Sequence, residues 1–352
     1  MARLRRVDCS EPGISRRRRG RGFEFVDAGG GRVTDEETLA RIRELAIPPA
    51  WEDVWICMHP RGHLQATGVD GAGRKQYLYH ADWRTRRDQQ KFDEMLDFAE
   101  ALPRLRRVVK RDLDSPPLSR KQVLACAVRL LDLGMFRIGS EDYAEQNQSY
   151  GLATLLKKHV TLDGRRVRFD YPAKSNQRRA HWVEDPHVVP VLTALKKRRG
   201  GSAELLAYRE GRRWVDVTST DVNEYVKQAT GGEFSAKDFR TWNGTVLAAA
   251  ALAAVAAEEE MPKSKTARKR RIKDAVQGVA FFLGNTPAVA RASYIDPRVF
   301  DRFDSGWTIA LPKRSGDELL ANETTRRRVE KAVIDLISEP RESDLVERPL
   351  AA

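Results

Sequence analysis

No uninterrupted apolar stretch in this 352-residue sequence reaches the ~18 residues that a bilayer-spanning helix needs. The nearest, Val246 to Ala257, is short and mostly alanine, and reads as a tightly packed core helix. The basic N-terminus lacks the apolar segment that follows it in a signal peptide. Cysteine is scarce: Cys9, Cys57 and Cys126 are widely separated and in no CxxC or Cys/His spacing, so they read as reduced structural thiols of a cytoplasmic protein. The six histidines form no HExxH or paired-ligand spacing, and Walker and GxGxxG loops are absent. The one DxD, Asp112-Leu-Asp114, precedes Ser-Pro-Pro with no partnering glutamate on a strand, which argues against a two-metal acidic site. No ATP requirement, metal or other cofactor is expected.

What the chain has in excess is positive charge. A formal charge of +13 and a pI near 9.8 favour a polyanionic partner, and nucleic acid is the commonest for a basic protein. The charge is clustered, which a merely soluble basic surface does not require. The first 22 residues hold eight arginines against two acids, and Lys263 to Lys273 holds seven cations and no acid. The length suffices for two domains and a sizeable core.

Residues 1 to 22 read as an arginine-rich arm, mobile until it meets a partner and accessory to binding. Residues 23 to 88 read as a small β-rich domain. Its strands are Phe23 to Val26, Val54 to Met58 and Leu64 to Thr67, with a helix from Asp35 to Leu45 capped at Thr34 or Asp35. The domain closes with Gly73 to Arg87, where aromatics alternate with cations. That mixture suits phosphate contact and makes Gln65, Arg74, Lys75, Tyr77 and Tyr79 candidate DNA-binding residues, although core packing is the expectation for most of Tyr77, Tyr79 and Trp83. Residues 89 to 316 read as mainly α. Helical periodicity marks Lys91 to Leu102, Ser119 to Leu133, Glu141 to His159, His187 to Arg199, Ser219 to Thr230, Ala236 to Glu260 and Lys265 to Leu283, and another helix starts at Asn285 or Pro287. One three-stranded sheet from Val160 to Glu184, turning at Asp163-Gly164, interrupts them. Residues 317 to 352 read as a tail with an amphipathic helix around Asn322 to Ile337. The expected fold class is α+β.

Four segments carry chemistry. Phe281 to Pro297 places Tyr294 three residues after Arg291 and nine after Asn285. Met135 to Ser140, Tyr171 to Ser175 and Lys237 to Trp242 each set one cation, Arg137, Lys174 and Arg240, in an apolar or turn-like frame. Metal-free phosphodiester transfer needs three things: charge relief for the non-bridging oxygens, a nucleophile that loses a proton and a leaving oxygen that gains one. Arginine suits the first task because its planar fork stays charged and donates two hydrogen bonds to one phosphate. Phe136 and Phe239, beside Arg137 and Arg240, suggest side chains held by a packed wall. A lysine in a partly desolvated site suits the third task, though a loop lysine such as Lys174 reads equally as a simple phosphate contact. Tyr294 is the candidate nucleophile, since nearby cations favour a phenolate. Asn285 is a neutral donor for a phosphate oxygen.

Taken in order, Gln65 to Gly68 with Gly73 to His80, Phe136 to Gly139, Tyr171 to Lys174, Lys237 to Trp242, and Gly284-Asn285 leading to Ala292 to Ile295 resemble the poxvirus-like type IB DNA topoisomerases, bacterial branch. The resemblance covers about Phe23 to Lys313. It implies a monomer closing as a C-shaped clamp on double-stranded DNA, located with the nucleoid. It implies attack by Tyr294 to leave a 3′-phosphotyrosine and a free 5′-hydroxyl, swivelling, and resealing. Arg137 and Arg240 would stabilise the phosphorane, Lys174 would protonate the 5′-oxygen as general acid, and Asn285 would touch a non-bridging oxygen where many relatives have histidine. A tyrosine recombinase looks similar in its catalytic half, but there the second arginine follows a His-x-x pattern, and Lys237 stands in that place here. A non-catalytic basic DNA-binding protein is the other alternative.

Overall fold

In the computed structural model the described residues are 3–348 except 135, 175–176, 260, 263, 312–321 and 339–340. Met135, Ser175 and the start of the expected tail at Asp317 therefore lie outside them. The chain divides into two units, Met1–Asp93 and Glu94–Ala352.

The first unit is built on a five-stranded antiparallel sheet in the order β2-β1-β3-β4-β5. The strands are β1 (Ile14–Arg19), β2 (Gly22–Val26), β3 (Glu52–Ile56), β4 (Leu64–Val69) and β5 (Lys75–Tyr79). The arginine-rich segment is therefore not an arm. All four consecutive arginines pair, in the run Ser15 to Arg19, with Gly22–Val26, and Ile14 pairs with Ile56. Charge concealed the strand, because long arginine stems can cover apolar surface while their heads stay wet. Arg16 shows how: its guanidinium lies 4.2 Å from the Phe23 ring centroid and donates to the carbonyls of Ile47, Pro48 and Trp51. The core under the sheet is Ile14, Ile42, Val54, Ile56 and Ala66. Ile42 comes from α1 (Glu36–Glu44), whose N-cap Asp35 accepts a 2.8 Å hydrogen bond from Thr38 N, as its sequence signature suggests.

Helix α2 (Ala81–Leu113) begins in the first unit and continues into the second. It starts ten residues before the expected Lys91 and so takes in the end of the aromatic and cationic stretch. The second unit surrounds α3 (Arg120–Gly134), whose residues from Val123 to Val128 are all buried. Against α3 pack α5 (Val188–Lys197), α6 (Ser219–Thr230), α7 (Ala236–Glu259) and the inserted sheet of β6 (Val160–Asp163), β7 (Arg166–Ala173) and β8 (Gln177–Glu184). That sheet and its turn, with Gly164 at φ +58°, fall where the alternation placed them. The helix expected over Glu141 to His159 is cut to α4 (Glu141–Asn147), because Gln148 turns left-handed at φ 48°. A short hairpin, β9 (Ala207–Glu210) and β10 (Arg213–Asp216), has no counterpart in the periodicity.

After α8 (Lys265–Leu283), α9 (Pro287–Ser293) and α10 (Pro297–Asp304), the helix expected in the tail appears as α11 (Glu323–Ser338). It is no tail. Arg326 and Glu330 are buried, and together with Arg106 of α2 and Asp132 of α3 they form an ionic knot. The last strand, β12 (Val346–Glu347), pairs with β11 (Thr308–Ile309). Among the described residues no helix is long and apolar enough to cross a membrane.

Candidate active site

The site forms in the second unit around the C-terminal end of α8. The last carbonyls of a helix have no intrahelical partner and carry its negative partial charge. Here four consecutive carbonyls are taken by three guanidiniums. Arg179 donates to Phe281 O at 3.0 Å and to Phe282 O, Arg240 to Leu283 O at 2.8 Å, and Arg137 to Gly284 O at 2.9 Å. Arg137 also donates to Asn285 Oδ1.

Each side chain is delivered by a local backbone device. Arg137 follows α3 on an irregular segment hydrogen-bonded to the turn at 151–154, Leu152 N to Arg137 O and Ala153 N to Ile138 O, both 2.8 Å. The two stretches of backbone touch at Gly139 (φ +82°) and Gly151, where a Cβ on Gly151 would fall 2.3 Å from Gly139 N. Only glycine permits that crossing. Behind it the buried Phe136 ring packs on Phe169 and His181, with centroids 4.9 and 4.5 Å away. Arg240, on the second turn of α7 beside the buried Phe239, is only 4% exposed. Burial first and the Arg137 guanidinium second lower its pKa to about 10, against the opposing effect of Tyr294, with which it shares a hydrogen bond. Its guanidinium carbon lies 5.0 Å from the Tyr294 ring centroid.

Tyr294 caps the C-terminus of α9 and is half-buried. Its carbonyl rests against Gly244 of α7, where a Cβ would come within 2.5 Å. The next turn is anchored by buried Asp296, whose N–H donates to Thr245 Oγ1 at 3.1 Å and whose carboxylate pairs with Arg298 at 2.7 Å. Asn285 follows Gly284, which closes α8 at φ +62°. With its oxygen accepting from Arg137, its buried amide nitrogen has no hydrogen-bond partner among the described residues and is free to donate.

Of the five catalytic candidates, four converge: Tyr294, Arg137, Arg240 and Asn285. Lys174 does not join them. It follows β7 on the exposed tip of the β7–β8 hairpin and, among the described residues, makes no hydrogen bond or ion pair. A second phenol, Tyr171, lies in the field of Arg179, Arg240 and Arg137, but it is sealed in, and burial raises its pKa to about 12. That contrast in access separates the two tyrosines. Arg179 was not anticipated; its period-two spacing with His181 and Val183, which puts it on the inward face of β8, was its one available signal.

The candidates of the first unit fare unevenly. Gln65 is a correction: it is 3% exposed, its amide nitrogen donates to Gly62 O at 2.7 Å and Pro60 O at 3.1 Å, and its oxygen accepts from Arg41 at 2.9 Å. It braces the loop after β3 and has no free group to offer. Arg74 is paired with Asp70 at 2.8 Å. The core placement of the aromatics also fails for two of three. Tyr77 and Tyr79 are 46% and 38% exposed, with nearly parallel rings 6.2 Å apart beside Lys75 on one face of β5. Trp83 is half-buried, edge-on to His63 at 4.7 Å.

Three guanidiniums, a carboxamide and a phenol around one helix end make a site for a phosphate ester. A family model described as "Eukaryotic DNA topoisomerase I, catalytic core" matches residues 80–305, and one described as "Bacterial DNA topoisomerase IB, N-terminal domain" matches residues 22–70. A DNA topoisomerase 1B of Acanthamoeba polyphaga mimivirus is 30% identical over 288 residues, which is 80% of this chain and 85% of its own. A DNA topoisomerase 1 of Candidozyma auris is 28% identical over 160 residues, 45% of this chain and 20% of its own. The chain therefore belongs to the type IB DNA topoisomerases and is an enzyme of that family, which acts on DNA.

Proposed function

We propose that this enzyme relaxes supercoiled duplex DNA through a transient single-strand break with Tyr294 as nucleophile. The phenolic oxygen attacks a backbone phosphorus, and its proton is lost to solvent. The bond from phosphorus to the 5′-oxygen breaks, and that oxygen takes a proton from the Lys174 ammonium. A 3′-phosphotyrosine and a free 5′-hydroxyl result. The free end swivels, and reversal of the same steps reseals the strand. One phosphodiester is exchanged for another of similar energy, so the cycle needs no ATP. Arg137 and Arg240 neutralise the charge that gathers on the non-bridging oxygens, so the step needs no metal. Asn285 donates its free amide hydrogen to the same oxygens.

The observation that supports this most is the meeting of Tyr294 with Arg240, Arg137 and Asn285 at the end of α8, segments that lie far apart in the sequence. On β5, Lys75, Tyr77 and Tyr79 form a surface suited to phosphates and sugars. The test is denaturing electrophoresis of the protein with a labelled nicking substrate. The wild type should give a covalent adduct, and Tyr294→Phe should bind the duplex yet give none. An adduct of normal yield from that variant removes Tyr294 from the mechanism.

A further inference from the structure

Lys174 raises a mechanical difficulty. A proton donor must be held near its acceptor, yet this lysine sits at the tip of a two-stranded hairpin, exposed, while the phosphate cradle is built on α8. Among the described residues, the hydrogen bonds that join this hairpin to the end of α8 are made by Arg179, to Phe281 O and Phe282 O. Arg179 is the register partner of Tyr171 on β7, three residues before Lys174. Its guanidinium lies against Gly284, where a Cβ would come 2.9 Å from Nη1, so the glycine that ends α8 also makes room for the arginine. Arg179 has no carboxylate partner among the described residues. Burial first, then the Arg137 charge, lower its pKa. A cation kept in such surroundings on carbonyls alone is a costly way to stabilise a hairpin, and its return is geometric: it fixes the hairpin to the segment that bears Asn285.

We propose that Arg179 is a positioning residue for the leaving-group step, the clasp that holds the Lys174 hairpin against the end of α8 so that the ammonium reaches the 5′-oxygen. The inference rests on the role given to Lys174 above.

The test compares the full-length wild type with Arg179→Ala, Arg179→Lys, Lys174→Ala and Arg240→Ala on two nicking substrates, one with an ordinary scissile phosphodiester and one with sulfur in place of the bridging 5′-oxygen. A thiol of pKa about 8.5 leaves as thiolate without a donated proton. Lys174→Ala should lose about 10²-fold or more in single-turnover cleavage of the oxygen substrate and recover on sulfur. Arg179→Ala should show the same pattern at about 10-fold or more, with partial restoration by lysine. Arg240→Ala should stay slow on both. Each variant is judged by its sulfur-to-oxygen ratio, so loss of folded protein cancels. An Arg179→Ala ratio equal to that of wild type overturns the clasp and leaves the proposed function intact. Failure of the wild type to form an adduct on either substrate overturns the proposed function itself.

Discussion

The second unit contains two arginine clusters that obey opposite rules. Under α11, Arg106, Arg129 and Arg326 face Asp132, Asp185 and Glu330, three cations to three anions, with separations from 2.5 to 3.6 Å. At the end of α8, Arg137 and Arg179 meet only carbonyl and carboxamide oxygens among the described residues. The first cluster is closed. Burial alone would discharge Arg106 and neutralise Asp132, but their mutual attraction outweighs it, raising the arginine pKa and lowering that of the aspartate. The second cluster is open: dipoles hold the guanidiniums in place without cancelling their charge, so an anion entering there finds it undiminished. Arginine content alone does not separate a structural knot from a binding site. The presence of counter-charges does.

The sharpest way to break this comparison is to delete one member of each cluster. Asp132→Ala leaves three buried or half-buried cations to share the two remaining carboxylates, Glu330 and Asp185, and should cost about 3–5 kcal/mol of stability, read as a fall in the denaturant midpoint. Arg240→Ala should leave the midpoint nearly unmoved while slowing adduct formation by about 10²–10³-fold, as removal of a transition-state donor does. A large stability loss from Arg240→Ala would show that the open cluster is also a structural knot. The closed cluster carries a pH signature too. Because the pKa of Asp132 is lowered on folding, its contribution is complete above the unfolded value of about 3.9 and is lost as pH falls below it. Acid unfolding of the wild type should therefore show a slope below about pH 4 that Asp132→Asn makes shallower, the remainder belonging to other lowered carboxylates such as Asp170 and Asp221.

A smaller effect tests how tightly the open cluster is built. Gly244→Ala places a methyl group 2.5 Å from the Tyr294 carbonyl, which is backbone and cannot turn aside. The variant should lose about 1–3 kcal/mol of stability and, through displacement of the phenol, slow adduct formation by about 10-fold or more. Unchanged cleavage would mean that the register between α7 and α9 does not set the position of Tyr294.

These clusters also mark what could be read from the sequence. Tyr294, Arg137, Arg240 and Asn285 were legible because each lies in a short segment of distinctive composition. The inserted sheet was legible because Val160 to Ala173 alternates around one Asp-Gly turn. The strand in the arginine run was hidden because hydrophobic alternation is the usual mark of a strand, and Ile14–Arg19 meets its partners through arginine stems and backbone. The knot under α11 joins Arg106 to Glu330, 224 residues apart, and no local pattern links them. Gln65 misled for a related reason: a polar residue in a recognisable motif looks free until its three-dimensional partners are counted. Arg179 escaped because one arginine among several on an exposed-looking strand carries no mark of the carbonyls it meets from another helix.

The finest comparison concerns the one neutral donor of the open cluster. Asn285 offers its oxygen to Arg137 and keeps a free amide nitrogen, a division of labour that does not change with pH. In Asn285→His a neutral imidazole can do the same, accepting from Arg137 with one nitrogen and donating with the other. An imidazolium donates from both nitrogens and adds charge. The adjacent Arg137 guanidinium disfavours that cation in the free enzyme, so the midpoint should lie below the ordinary histidine value of about 6.5. Stronger stabilisation of the non-bridging oxygens by the charged form should then raise the ratio of variant to wild-type cleavage rates as pH falls through that midpoint, by about the few-fold to 10-fold that distinguishes a charged from a neutral hydrogen bond. Single-turnover cleavage by both proteins from pH 5 to 8 measures it. A constant ratio over that range would place the side chain at 285 away from the reacting phosphate and confine its part in the cluster to holding Arg137.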